Sequence, residues 1–330
     1  MIFIATKTPV TLPTAQQIIH LHFGSEANIA AFQELTDGMF NAAYQIDLVD
    51  GMRCVLKVAP PPGVRVLRYE KNIMQAEVEV MQRVRQQTEM PVPRILAYDR
   101  SCTILPSQYY LMDFVPGESL HKLRKGMSDE QQRRIDSEAG RLLRQMNAIQ
   151  GEFFGYYAQE DARSASWKES FDRLLVNVLQ DGQEMNVQLP MPYEALHDLL
   201  KAHYASLDEV ASPHLVHWDL WDGNIFLDPY TYALTGLIDF ERAIWADPLM
   251  EVNFLFMVHN DAFMQGYGVE MMDTPAKRIR RTLYNIYLDL IMVIECYYRR
   301  FDNDWQENWA RGLLVEQLNL LGAGLPPPTG

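Results

Sequence analysis

Three cysteines in 330 residues, Cys54, Cys102 and Cys296, are too few and too scattered for a disulfide framework, and no CxxC pair offers a thiolate zinc site. That usage fits a reducing compartment, and a cytoplasmic location is expected. Long apolar runs are missing too. A bilayer span needs about 18 to 20 apolar residues in a row, whereas the best stretch, Leu288 to Tyr298, is short and carries Asp289 and Glu295. Met1 to His22 lacks the cationic segment, apolar block and small-residue cleavage site of a secretory signal. Basic residues are in deficit, 29 Lys and Arg against 43 Asp and Glu, and the formal charge of −14 opposes a nucleic-acid backbone. Neither nucleic acid nor membrane is expected as a partner, and the sequence leaves the oligomeric state open. There is no internal repeat and no low-complexity segment beyond the tail prolines Pro326, Pro327 and Pro328, which cannot continue a helix.

What is present builds a packed chain. With 48% hydrophobic and 22% charged residues, wholesale disorder is excluded. The length exceeds the ~250 to 300 residues at which one core stops growing, so two lobes with a cleft are expected. Thr11-Leu12-Pro13 before Ile18, Ile19 and Leu21 reads as a capped first helix. From Tyr44 the pattern alternates through Ile46 and Leu48, turns at Asp50-Gly51 and alternates back through Cys54, Leu56 and Val58, which spells a β-hairpin. Met74, Val78 and Met81 recur at helical spacing and predict a helix over 73–86, with further strands over 91–97 and 109–114. Beyond Pro116-Gly117 helical periods dominate: Ser128 to Gln131 has capping-box spacing, and Ile135, Ala139, Leu142, Met146 and Ile149 continue one face. The expectation is an α+β chain with a β-rich N-terminal lobe over 1–114 and a larger, mainly helical lobe over 115–330.

Chemistry concentrates in His217-Trp218-Asp219-Leu220-Trp221-Asp222-Gly223-Asn224 and in Gly236-Leu237-Ile238-Asp239-Phe240-Glu241. Phosphoryl transfer needs a carboxylate to orient the attacking hydroxyl, and an amide with a second carboxylate to hold Mg²⁺ against the phosphates. Asp219 suits the first role, Asn224 and Asp239 the second. Trp218 and Trp221 are expected in the core. A kinase-like site also needs a cation for the nucleotide phosphates, and Lys57, inside an apolar strand, offers one. Glu77 shares the buried face of its helix with Met74 and Met81 and is placed to pair with that lysine, while Glu79 points away. Residues 36–42 precede the neighbouring strand, where a phosphate-covering loop belongs. They hold one glycine, Gly38, with the Asn41 amide, so this is no GxGxxG loop. For the adenine, Met112, Asp113, Phe114 and Val115 at the lobe junction would present backbone donors and acceptors.

Together these residues resemble the aminoglycoside phosphotransferase and choline kinase family, the small-molecule branch of the protein-kinase-like fold. The resemblance rests on ELTDGMFNAAYQI, CVLKV, AEVEVMQRV, YYLMDFVPGESL, LVHWDLWDGNIFLD and LTGLIDFERAIWADPLMEVNFL. It implies a bilobal, ATP- and Mg²⁺-dependent kinase with Asp219 as base, Asn224 and Asp239 on metal, Lys57 on the phosphates, and Asp247 closing a short segment structurally. Position 218 departs from the pattern, holding Trp where Gly is frequent, and the helix that often ends in histidine here reads Gln145-Met146-Asn147.

Between Asp239 and Asp247 there is no Ser, Thr or Tyr, so no activation loop can be ordered by its own phosphorylation. A small-molecule acceptor is therefore expected rather than a protein. The helices from Pro248 to Leu321 are placed to enclose it, with Glu241, Glu251 and Asp261 as candidate substrate contacts among carboxylates and tyrosines that suit a polycation or quaternary amine. Aminoglycosides, macrolides, choline, homoserine, methylthioribose and sugar-amine adducts all remain open as acceptors. Two other readings are a nucleotide-binding pseudokinase without turnover and a metal-dependent hydrolase using Asp219, Asn224, Asp239 and His217; the second leaves Lys57 and Glu77 unemployed.

Overall fold

The computed structural model describes residues 7–36, 38, 40–251, 260–268, 274–301 and 303–326, so Asp37, Met39, Pro327 and Pro328 lie outside the described residues. Helix α1 (Leu12–Phe23) begins where the Thr11 hydroxyl accepts the Thr14 N–H, with proline in the first turn as expected. An antiparallel sheet follows, built from β1 (Ile29–Leu35), β2 (Ala42–Leu48), β3 (Arg53–Val58), β4 (Ile95–Asp99) and β5 (Tyr109–Asp113) in the order β1-β2-β3-β5-β4.

Alternation decides which face each β3 side chain meets. Cys54, Leu56 and Val58 pack with Ile18 and Ile19 of α1, whereas Val55 packs with Met74, Val78 and Met81 of α2 (Ile73–Gln87) on the opposite face. Lys57 shares the face of Val55 and so points at α2. Two expectations shift. The strand foreseen over 91–97 is Ile95–Asp99, because Pro91 and Pro93 cannot donate to the ladder. β1 was not foreseen, since this edge strand is only half covered and shows no alternation.

After the lobe junction come β6 (Glu118–Ser119), α3 (Leu120–Leu123) and α4 (Asp129–Asn147), the last opened by the reciprocal Ser128–Gln131 capping box. Then follow β7 (Gly155–Tyr156), α5 (Trp167–Glu184), α6 (Tyr193–Lys201), β8 (His214–Val216), β9 (Ile225–Leu227), β10 (Leu234–Leu237), β11 (Ile244–Ala246), α7 (Asp261–Tyr267), α8 (Pro275–Arg299) and α9 (Trp305–Leu320). The short strands form two small sheets, β10-β9-β6 and β7-β11-β8, which carry the loops of the candidate site. Gly140 lets α7 approach α4: a Cβ there would lie 2.2 Å from the Phe263 carbonyl oxygen.

One segment crosses the linear division. In the connection from β3 to α2, Leu67 and Tyr69 are buried in the C-terminal core, Arg68 pairs with Asp181 of α5, and Glu70 Oε1 accepts from Arg299 at 2.9 Å. The three cysteines are unpaired, two of them buried. Among the described residues no helix is long and apolar enough to cross a membrane.

Candidate active site

The loop between β8 and β9 carries His217 to Asn224, and its backbone is held from below. Glu251, fully buried, accepts the N–H of His217 at 2.8 Å and of Trp218 at 2.9 Å, while Asn147 of α4 donates to the same carboxylate at 2.9 Å. Trp218 adopts a left-handed backbone (φ +59°), a conformation costing about 1–3 kcal/mol for a residue with a side chain. Glycine, by contrast, adopts it freely. Asn224 Nδ2 donates to the Asp219 carbonyl at 2.8 Å, leaving its Oδ1 free to bind a cation. The Ile238 N–H donates to the Asn224 carbonyl at 3.1 Å, so the strand end bearing Asp239 is tied to this loop. Asp239 is itself left-handed (φ +70°), which turns its carboxylate back from the end of β10.

Across the cleft, Lys57 Nζ donates to Glu77 at 2.8 and 2.9 Å, to Asp239 Oδ1 at 2.8 Å and to Glu241 Oε2 at 3.2 Å. Glu77 is 1% exposed, as its place on the buried face of α2 predicts. Ligand oxygens of Glu77, Asp239 and Glu241 lie within 4.8 Å of one another, a donor set of hard oxygens suited to Mg²⁺. From the β1–β2 connection, Asn41 Nδ2 donates to Glu241 Oε2 at 2.8 Å.

Burial sets the charge states. It works against the Lys57 ammonium, yet Asp239 and Glu77 raise its pKa well above the ordinary value. Burial also opposes the Asp239 carboxylate, but Lys57 holds its pKa below the usual one. Burial pushes Asp219 up to about 7, partly countered by Arg242, with Asp239 adding repulsion. Glu241 is pushed up to about 8 by burial and by Asp239. His217 is lowered to about 4 by burial, stays neutral and lies 4.5 Å from the Phe240 ring.

The structure thus brings Lys57, Glu77, Asp219, Asn224 and Asp239 to one cleft. Other expectations need correction. Glu251 is not a substrate contact, because both its oxygens serve the loop backbone. Glu241 turns toward Lys57 and Asn41 rather than an acceptor. Asp261 sits on the exposed first turn of α7, which packs on α4 and is not joined to the cluster. The Asp113 N–H is consumed by the Arg94 carbonyl at 3.0 Å and its carboxylate by the Arg94 guanidinium at 2.7 and 3.0 Å, so neither is free for an adenine. Val115 seats its side chain on Gly236, where a Cβ would come within 2.5 Å of Val115 Cγ1. Gly38 lies near the Asn41 carbonyl with room around it. Trp218 is buried as expected, but Trp221 is 45% exposed and lies edge-on to His121. Asp247 is structural: Arg280 lies 2.9 Å away and Tyr284 donates to it at 2.9 Å.

Residue-by-residue reading missed a buried ion chain beside Asp219. Arg242 donates to Glu295 at 3.4 Å, Arg299 reaches Glu295 and Glu70 at 2.9 Å, and Gln306 of α9 donates to Glu295 at 2.6 Å. The i, i+4 spacing of Glu295 and Arg299 inside an otherwise apolar helix was its one sequence signal.

The described fold is that of the protein-kinase-like phosphotransferases. Residues 31–275 match the family described as the phosphotransferase enzyme family, and the chain belongs to it. A protein from Haemophilus somnus 129PT assigned as a fructosamine-3-kinase superposes with a TM-score of 0.68 at 15% identity, covering 93% of this chain and 96% of that one. The aminoglycoside phosphotransferase APH(4)-Ia, as a thermostable mutant in a ternary complex with AMP-PNP and hygromycin B, superposes with a TM-score of 0.62 at 18% identity over 94% and 99% of the two chains. In sequence, the probable acyl-CoA dehydrogenase IBR3 of Arabidopsis thaliana is 21% identical over 225 residues, 67% of this chain. The chain spans only 27% of that relative's length.

Proposed function

We propose that this phosphotransferase moves the γ-phosphoryl group of ATP to a hydroxyl of a small molecule, an aminoglycoside-type antibiotic or an amino-alcohol or sugar metabolite. The carrying observation is Lys57, whose ammonium bridges Glu77 of helix α2 and Asp239 of the segment tied to the Asp219–Asn224 loop. In this reading Lys57, oriented by Glu77, contacts the nucleotide phosphates, and the connection bearing Gly38 and Asn41 covers them. Asn224 and Asp239 would hold Mg²⁺, with Glu241 within reach. Bound there, the ion would neutralise charge on the phosphates.

Asp219 accepts the hydroxyl proton as the acceptor oxygen bonds to the γ-phosphorus and the bond to the β–γ bridging oxygen breaks, releasing ADP. A carboxyl poised near 7 suits that task at neutral pH. The APH(4)-Ia complex holds AMP-PNP and hygromycin B, which supports a nucleotide and a small acceptor here. The unpaired cysteines support a reducing, cytoplasmic setting. A coupled ADP-release screen over amino sugars, amino alcohols and macrolides, with Asp219→Ala as blank, tests the reading. Acceptor-dependent release in the wild type alone supports it; no release above the blank with any acceptor, or with water, refutes it.

A further inference from the structure

Trp218 combines three features that no other described residue of the loop shows together. It is fully buried, its backbone is left-handed, and its indole lies flat on Tyr287 of α8, with ring centroids 5.3 Å apart and planes 7° from parallel. On another side stands Tyr156 of β7, 6.1 Å away, whose hydroxyl lies 3.3 Å from that of Tyr287. Tyr69, on the β3–α2 connection, stacks on Tyr156 at 5.4 Å. Three rings in contact, Tyr69, Tyr156 and Trp218, thus link the segment joining the Lys57 strand and the Glu77 helix to the residue immediately before Asp219, and Tyr287 closes on Trp218 from the far side. The indole N–H has no partner among the described residues, so the ring is held by packing and not by a hydrogen bond.

We infer that Trp218 is a positioning residue, whose clamped ring holds position 218 in the left-handed conformation and thereby aims Asp219 into the cleft. A bulky side chain disfavours that backbone, and only surroundings that over-determine it keep it there. Glycine at this position would permit the conformation; tryptophan in an aromatic clamp enforces it. The consequence is a base whose direction depends on Tyr287, Tyr156 and Tyr69, none of which reaches the reacting atoms. The inference rests on Asp219 being the base, as proposed above.

The test compares Trp218→Phe, Trp218→Gly and Trp218→Ala, with Tyr287→Leu removing the stacking partner from the other side at similar bulk. The first readout is ADP release from Mg·ATP with water as acceptor, per folded molecule, alongside Mg·ATP affinity. Phe should keep the rate within about threefold. Ala, keeping a Cβ without the clamp, should lose on the order of 10²-fold, and Gly, free to adopt the conformation, should lose less. Tyr287→Leu should also lose rate, and affinity should stay unchanged throughout.

A purely space-filling role predicts the reverse order, Gly worse than Ala, because Gly leaves the larger cavity; that order overturns the inference. So does an Ala or Tyr287→Leu variant at the wild-type rate. The second readout, amide exchange over residues 217–220, needs no turnover: it should quicken by roughly tenfold or more in Ala and Tyr287→Leu and not in Phe. Unchanged exchange overturns the inference even if the wild type releases no ADP, an outcome that would separately refute the proposed function.

Discussion

Lys57 and Asp239 stand 182 positions apart in sequence, and Lys57 Nζ lies 2.8 Å from Asp239 Oδ1. The contact joins the third strand of the N-terminal sheet to the segment after β10, and together with the Lys57–Glu241 pair at 3.2 Å it pins the cleft at its centre. Glu77 holds the lysine from the opposite side, and the three carboxylates Glu77, Asp239 and Glu241 share its charge.

Replacing Lys57 by Met should leave Glu77 and Asp239 facing each other across a buried space without a cation. The expected result is an apparent KM for ATP raised by tenfold or more, on the order of 1.4 kcal/mol of lost phosphate binding. Lys57→Arg should not restore it, because the planar fork does not fit a site built around a point charge. Steady-state kinetics over an ATP titration measure both; an unaltered KM would return Lys57 to a solvent-facing role.

Asp219→Asn removes the proton acceptor and preserves shape. Phosphoryl transfer is expected to fall by roughly 10² to 10⁴-fold, the usual contribution of a positioned base. Mg·ATP should bind as before in calorimetric titration, and a variant transferring phosphate at the wild-type rate would rule out the assignment.

Asp239→Ala should weaken nucleotide binding in the presence of Mg²⁺ and have little effect in its absence. Chelation with EDTA should stop ADP release from the wild type, and added Mg²⁺ should restore it. Equal Mg·ATP affinity in variant and wild type would count against Asp239 as a ligand.

Glu251→Gln leaves one carbonyl oxygen where two carboxylate oxygens serve the His217 and Trp218 N–H groups and Asn147. The loss of stability is expected at about 1–3 kcal/mol, the cost of a buried group left without its partner. Urea unfolding measures it, and a midpoint equal to the wild type's would show that the loop does not need this support.

Stability should also depend on pH through Asp289. This residue of α8 is fully buried, both its oxygens lack hydrogen-bond partners among the described residues, and burial, with Glu316 adding, pushes its pKa up to about 8. In the unfolded chain the same carboxyl titrates near the ordinary aspartate value of 3.8. Between those pH values the native state holds a proton that the unfolded state has released, so stability falls as pH rises from about 4 to 8. Thermal unfolding from pH 5 to 8.5 should show a declining Tm in the wild type and a shallower decline in Asp289→Asn; parallel slopes would exclude Asp289 as the source.

Much of the fold was legible in short windows because local rules govern them. The Ser128–Gln131 capping box, the hairpin turning at Asp50-Gly51 and the buried face of α2 need only neighbours within about one turn or one strand pair. The edge strand β1 was not legible, since a strand only partly covered, with half-buried residues at every third position, carries no alternation. Glu241, Glu251 and Asp261 show the same limit in the site. All three are acids in or after the loop region, and nothing in their immediate sequence says that one meets Lys57, one meets two backbone N–H groups and one meets solvent.

By itself, then, the order of residues determined the chemistry available to this protein: an Asp and an Asn five positions apart, a strand-ending Asp, a lysine in an apolar strand and a glutamate on a buried helix face. Spacing and side-chain type settle those, because they are properties of one segment at a time. Only the tertiary structure decided which carboxylates are charged, which are spent on holding backbone, and why tryptophan can stand before Asp219 in a conformation that suits glycine. Those outcomes depend on burial and on partners from distant segments, Tyr287 and Tyr156 for Trp218, Arg242 for Asp219, Lys57 for Asp239, and no window of sequence contains them together.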